Sequence, residues 1–192
     1  IENVVDEEAK NLFNGEINYV QAKQICKEVA DRGYADSMFL YGKLCLKEKV
    51  NGYGKIERNL KDAFKYLSDA VSDGSSEAMA LYGQLIEQGG YGIKEGSKEE
   101  AEELFKKSHK KGNLEGEALY GYSEIESKKK EKEGLKKIIE AKEENNSTGL
   151  NAYGLVIFNG LCGKIPDEER GVYYIKLAAD AGNVNAMYNY AR

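Results

Sequence analysis

The stretch EAMALYGQL, residues 77–85, decides the fold. Ala78, Met79, Leu81, Tyr82 and Leu85 have the spacing of a helix with one apolar stripe. Gly83 nevertheless stands inside it, where glycine costs about 0.5–1 kcal/mol relative to alanine. A helix accepts that cost where a side chain would do more harm.

The Tyr82-Gly83 pair recurs as Tyr41-Gly42, Tyr120-Gly121 and Tyr153-Gly154, and Tyr190-Ala191 is a variant of it. Nine residues before each small residue stands a second marker: Gly33, Gly74, Gly112, Asn145 and Gly182. Eleven residues before those stands a third: Ala22, Ala63, Ala101, Gly134 and Gly171. Five units sharing two fixed offsets are an internal repeat, the first thing to settle in any sequence.

The offsets assign physical roles. The central marker is Gly four times and Asn once, the residues that tolerate the left-handed end of a helix. A first helix ends there, and the expectation is a second helix beginning about three residues later. Four residues before the marker stand Val29, Ala70, Ser108, Ala141 and Ala178; seven before it stand Cys26, Leu67, Phe105, Ile138 and Ile175. These two positions form one face of helix one. The position four after the marker (Ser37, Ala78, Gly116, Gly149, Ala186) is small every time. Gly83 is therefore a close-approach point between two helices. Overpacking such a contact costs about 1–3 kcal/mol, more than the loss in helix propensity.

Central markers are separated by 41, 38, 33 and 37 residues, with the variation in the connections after helix two. NGYGKIERN, GGYGIKEGS and NGLCGKIPDEER look alike, whereas SKKKEKE is shorter and lacks the Gly turn. All four are expected as turns between helices. Ala9 precedes Ala22 by thirteen residues, as Gly121 precedes Gly134, so Glu7–Phe13 is expected as helix two of a partial preceding unit. Both ends cut the pattern, as expected of a piece of a longer solenoid.

Composition agrees with a helical scaffold. Of 192 residues, 41% are hydrophobic and 32% are charged, of both signs, with a single proline (Pro166) and 21 glycines. The net charge of −5 argues against a nucleic-acid partner, and no apolar run is long enough to insert directly in a membrane. Cys26, Cys45 and Cys162 are odd in number and unevenly spaced, so they are read as reduced, mostly buried thiols in a cytosol-like compartment. A Cys26–Cys45 bridge stays open. The two overlapping glycosylation sequons in Asn145-Asn146-Ser147-Thr148 keep a secretory or endoplasmic-reticulum location open as well.

Helix pairs with Ala…Ala-x-x-x-Gly in the first helix, Ala-x-x-x-x-Gly in the second and a Gly-x-Gly loop resemble Sel1-like repeats, relatives of tetratricopeptide repeats. The units that match best are LKDAFKYLSDAVSDGSSEAMALYGQLIEQGGYG and GVYYIKLAADAGNVNAMYNYAR. The resemblance runs from about Asn18 to Arg192. Here Tyr precedes the second-helix small residue in all five units, where the family usually has Leu. Val29 and Ser37 stand where some secreted bacterial members carry a bridging Cys pair. The resemblance implies an all-α, right-handed superhelix of antiparallel helix pairs. It comprises a partial repeat or cap helix over 1–17 and a solenoid over 18–192, with pairs near 18–48, 59–89, 97–128, 132–160 and 168–192. Gly33, Gly42, Gly74, Gly83, Gly112, Gly121, Gly154 and Gly182 are its structural glycines.

A catalytic constellation does not assemble. His109, the one histidine, is expected at a surface or helix end. No Cys or His cluster suits zinc, and the acidic clusters (Asp6–Glu8, Glu99–Glu103, Asp167–Glu169) fit helix starts. No P-loop ending follows the Gly-rich turns. No enzyme activity, metal or cofactor is expected. The resemblance implies instead a scaffold that binds a protein or peptide in a concave groove; the alternative is a structural spacer or oligomerisation segment of a larger protein. In the tetratricopeptide relatives the helix matching helix two here lines the groove. By that correspondence the groove strip is Phe39, Lys43 and Leu46; Ala80, Gln84 and Glu87; Ala118, Tyr122 and Ile125; Asn151, Leu155 and Phe158; then Tyr188 and Arg192. Val4, Val5 and Leu12 at one end, and Met187 and Tyr190 at the other, are expected to be exposed and to allow end-to-end association.

Overall fold

Each helical hairpin is built around the left-handed residue that closes its first helix. Gly33, Gly74, Gly112, Asn145 and Gly182 have φ of 94°, 87°, 79°, 55° and 87° in the computed structural model, which describes residues 19–51, 54–88 and 97–191. In four units the N–H of the next residue reaches back to the carbonyl four before the marker: Ser75 to Ala70, Asn113 to Ser108, Asn146 to Ala141 and Asn183 to Ala178, at 2.9–3.3 Å. This is the Schellman closure that satisfies the last carbonyls of a helix.

The same four residues open the next helix. The side-chain oxygens of Ser75, Asn113, Asn146 and Asn183 accept the N–H of Ala78, Gly116, Gly149 and Ala186 at 2.9–3.1 Å. One residue thus ends one helix and caps the other. The second helix accordingly starts two residues after the marker, one earlier than the spacing suggests.

Ten helices result among the described residues: α1 (Tyr19–Ala30), α2 (Ala35–Cys45), α3 (Leu60–Ser72), α4 (Ser76–Gln88), α5 (Lys98–Lys110), α6 (Leu114–Glu126), α7 (Glu131–Glu143), α8 (Ser147–Phe158), α9 (Glu168–Asp180) and α10 (Val184–Tyr190). The connection NGYGKIERN is more than a turn. Lys49–Asn51 (β1) pairs antiparallel with Gly54–Ile56 (β2), with Lys49 opposite Ile56. Lys23 Nζ donates to the Glu57 carbonyl and Arg58 Nε to that of Leu46, which tie this segment to α1 and to the end of α2. The Glu7–Phe13 helix, Ala9, Val4, Val5, Leu12 and the loop over 89–96 lie outside the described residues.

The chain forms two units, one through Glu95 and one from Gly96. In the first, α2 packs on α1 and α3, and α4 on α3; in the second, α5 to α10 pack in chain order, with α6 also against α8 and α8 against α10. The cores follow the repeat offsets. Ala22, Ala63, Ala101, Gly134 and Gly171 are buried, as are Cys26, Leu67, Phe105, Ile138 and Ile175. Cys26 and Cys45 are buried and Cys162 is half-buried, and none of the three is in a disulfide.

Gly42, Gly121 and Gly154 approach the first helix of the following pair. A Cβ on Gly42 would lie 2.7 Å from Leu67 Cγ and 3.2 Å from the Ala63 carbonyl. One on Gly154 would lie 2.9 Å from the Gly171 carbonyl oxygen. Gly83 is buried in α4.

Candidate functional site

The groove strip is not uniformly open. Ala80, Ala118 and Ile125 are core residues, and Gln84 and Asn151 are buried with them. For α6 and α8 the reason is that each packs against helices on more than one side. These positions, including the proposed contact Gln84, are therefore closed to a partner in this structure. Phe39 and Leu46 are half-buried against the Leu40–Leu44–Cys45 cluster, with Lys43 Nζ 5.5 Å from the Phe39 ring centre; Glu87 is half-buried too. In the second unit Tyr122 leans on the Ile125–Val156 cluster and Leu155 on the Leu150–Ile175 cluster. Phe158, at 36% exposure, and Tyr188, at 62%, are the open members. Arg192 lies outside the described residues. Met187 and Tyr190 are about half exposed, at 48% and 49%.

α8 and α10 are tied together by Asn189 Nδ2, which donates to Asn151 Oδ1 at 3.1 Å, and by Asn183 Nδ2, which donates to Thr148 Oγ1 at 3.1 Å. Buried Asn151 thus has its partner, and the two exposed rings project from neighbouring helices of one unit.

A second cluster had a sequence signal that went unread. Five residues after the marker the units carry Met38, Met79, Leu150 and Met187, but Glu117 in the third. Twelve after it stand Cys45, Ile86 and Ile157, but Glu124. Eight before it stand Ile25, Tyr66, Leu104 and Tyr174, but Lys137 in the fourth. These departures converge where α6 meets α7. Lys137 Nζ donates to Glu124 Oε2 at 2.6 Å, with the side chains 17% and 4% exposed, and lies 5.0 Å from the Tyr120 ring centre.

His109 stands in the last turn of α5, as expected, and is half-buried in the same island. Its ring stacks on Tyr120 with centroids 5.9 Å apart. Its Nδ1 is buried without a hydrogen bond, 3.8 Å from Glu117 Oε2. Burial, and then the Lys137 charge, hold the imidazole below its ordinary pKa. Burial, and then a hydrogen bond with Glu140, push the Glu117 carboxyl up to about 7. Burial, followed by Glu124, pushes Tyr120 up to about 12. The island holds no activated nucleophile. Among the described residues no group of His, Cys, Asp and Glu is arranged to hold a metal ion, and no helix is long and apolar enough to cross a membrane.

The repeat pattern has a counterpart among known families. The sequence model of the Sel1 repeat matches residues 35–75, 76–113 and 147–183, more than half of the chain. This chain belongs to the Sel1 repeat family. Sel1 repeat proteins generally act as non-catalytic protein-interaction scaffolds. No match covers 114–146, the α6–α7 pair, where Glu117, Glu124 and Lys137 replace the apolar residues of the other units.

Solved structures agree on the Sel1-type helical repeat fold. A Sel1 repeat protein from Oxalobacter formigenes is 21% identical over 98% of this chain and 73% of its own, with a TM-score of 0.65. The protective antigen c5321 of uropathogenic Escherichia coli is 18% identical over 98% of this chain, with a TM-score of 0.69. This chain covers 40% of the c5321 chain. The immunity protein Pa5087 of Pseudomonas aeruginosa is 16% identical over 96% of this chain and 67% of its own, with a TM-score of 0.60. No curated protein matches the sequence significantly.

Proposed function

We propose that this Sel1 repeat chain is a non-catalytic scaffold that takes a protein or peptide segment along the helix-two side of its second unit. One observation carries the reading: Phe158 and Tyr188 stand exposed on α8 and α10, two helices that pack together, and Leu155 on α8 is half-buried. Apolar side chains of this size, held on rigid helices, are the usual anchors of an interface. The net charge of −5 suits a protein partner better than a nucleic acid. Tyr122 would contribute from its half-buried position in the same unit; Phe39, Lys43 and Leu46 are half-buried on the helix-two side of the first unit.

The test is affinity capture with the wild-type chain and with the Phe158→Ala/Tyr188→Ala and Tyr122→Ala/Tyr188→Ala variants. A partner retained by the wild type and lost by both variants, with the melting temperature unchanged, supports the strip. If the variants retain it equally, the strip is not the contact surface. If they unfold, these residues are core.

A second reading rests on Tyr190. It occupies the position of Tyr41 and Tyr153, whose rings pack edge-on against Tyr66 and Tyr174 of the next helix pair at 4.7 and 4.9 Å. With Met187 it offers the same kind of surface to another helix, from a second copy or a larger assembly. Light scattering at rising concentration tests this: a strict monomer excludes the second copy.

A further inference from the structure

The repeat columns carry a second departure, on α9. Nine residues before the marker the units have Gln24, Lys65, Glu103 and Lys136, but Tyr173 in the fifth. Five before it stand Glu28, Asp69, Lys107 and Glu140, but Leu177 in the fifth. All ten residues are exposed, so these two columns face solvent in every unit, whatever packs beside it. Tyr173 is 58% exposed and Leu177 37%. Where four units place polar and charged side chains, the fifth presents an aromatic ring and a branched aliphatic chain one turn apart, with Val172 exposed beside them. Contiguous exposed apolar groups of this kind mark an interface.

The apolar pair has flanks of opposite charge. Spacings of three, four and three residues keep side chains on one helix face, and on α9 they select Arg170, Tyr173, Leu177 and Asp180. Arg170 lies in the first turn and Asp180 ends the helix. The Tyr173 ring leans edge-on against Tyr174 at 5.3 Å, and Asp180 accepts from Lys176 Nζ at 2.6 Å, so the stripe is held in place within the chain. The stripe is also its own complement. In an antiparallel pair of α9 helices centred at the level of Ile175, Tyr173 of each copy lies opposite Leu177 of the other. The same register sets Arg170 opposite Asp180. A parallel pair would set Arg170 against Arg170 and Asp180 against Asp180 instead. Facing like charges are costly, and opposed helix dipoles add to the antiparallel preference.

We infer that this chain forms a two-fold dimer through the exposed face of α9, with Tyr173 and Leu177 at its centre and an Arg170–Asp180 pair at each end. The occupant is a second copy because one surface supplies both halves of the match, apolar and charged, as an isologous contact requires. Such a contact closes at two copies. Association through the end face at Met187 and Tyr190 need not close, and can add copies in a row. The α9 contact is a single pair of helices, at the low end of interface sizes, so the dimer assembles at micromolar to millimolar concentration and exchanges readily. Two joined scaffolds would engage a partner that carries two binding segments more tightly than one.

The test is analytical ultracentrifugation of the full chain over a concentration series. The mass should approach that of two copies and stop there. Tyr173→Lys/Leu177→Glu, which installs the residues α7 carries at these positions, should stay monomeric and melt in dilute solution at the wild-type temperature. Arg170→Glu alone and Asp180→Lys alone should each weaken the dimer about tenfold. The swap Arg170→Glu/Asp180→Lys should restore it, because opposite charges face each other again. Tyr190→Lys, on the end face, should leave it unchanged. A wild type that is monomeric throughout the series overturns the inference. So does a dimer that survives Tyr173→Lys/Leu177→Glu, or one that is lost with Tyr190→Lys. A swap no better than the single charge reversals overturns the antiparallel register.

Discussion

Gly121 on α6 and Gly134 on α7 approach so closely that a Cβ on Gly121 would lie 2.6 Å from the Gly134 carbonyl oxygen. Because the obstructing atom is backbone, the helices themselves would have to separate. At Gly42 the nearest atom is Leu67 Cγ at 2.7 Å, a side-chain atom of the buried core, and the nearest backbone atom, the Ala63 carbonyl oxygen, is farther off at 3.2 Å. Gly121→Ala is therefore expected to cost about 1–3 kcal/mol, and Gly42→Ala clearly less. Chemical denaturation of the two variants checks the order. Equal losses would mean that the α6–α7 approach is not limited by backbone contact.

The central markers depend on conformation instead of space. Gly112 has φ of 79° and nothing within 4 Å of a built Cβ. Gly112→Ala should lose about 1–2 kcal/mol from the left-handed backbone alone. Gly112→Asn should lose less, since Asn145 holds the equivalent position at φ 55°. A melt in which Asn was as damaging as Ala would assign the loss to a contact.

Most of the fold was legible because the repeat supplies its own comparison. A constraint on one glycine is weak, but the same constraint at the same offset in four or five units fixes the hairpin and its packing faces. The caps escaped because Ser75, Asn113, Asn146 and Asn183 share a role without sharing identity, and Tyr34 breaks the column. The β1–β2 ribbon escaped because a three-residue strand has no periodicity to show. The strip at Ala80, Gln84 and Asn151 was misplaced because a helical wheel gives direction and not the number of neighbours. The polar island was visible in principle: Glu117, Glu124 and Lys137 are charged where sister units are apolar. That signal appears only when columns are read for exceptions as well as agreement.

The dual-purpose caps give a third expectation. Asn183 closes α9 through its N–H to Ala178 and opens α10 through its side chain to Ala186. Asn183→Ala keeps the first bond and loses the second, along with the donation to Thr148. A loss of about 1 kcal/mol is expected from the cap, with increased hydrogen exchange confined to the first turn of α10. Asn183→Ser should keep the cap and recover most of the stability. Exchange spread evenly over α9 as well would show that the Schellman closure, and not the cap, had failed.

The Glu124–Lys137 pair is the sharpest case, because the repeat itself names the apolar replacements. Ile stands at the Glu124 position in α4 and α8, and Tyr stands at the Lys137 position in α3 and α9. Glu124→Ile alone leaves the Lys137 ammonium in a buried site without its 2.6 Å partner. Losing one member of such a pair costs about 3–5 kcal/mol. Lys137→Tyr alone leaves the buried Glu124 carboxylate without its 2.6 Å partner, and should be about as damaging at pH 8. The double variant removes both charges and should recover to near the wild type, since replacing a whole buried pair with apolar groups is often neutral or stabilising. The double-mutant cycle is read by denaturant midpoint; additive losses would show that the pair does not interact as the distance implies. The Lys137→Tyr arm also carries a pH signature. Lys137 helps hold His109 below its ordinary pKa and opposes the rise at Glu117. Without it both groups should titrate higher, and an NMR titration in which His109 moved down instead would refute the placement of this charge.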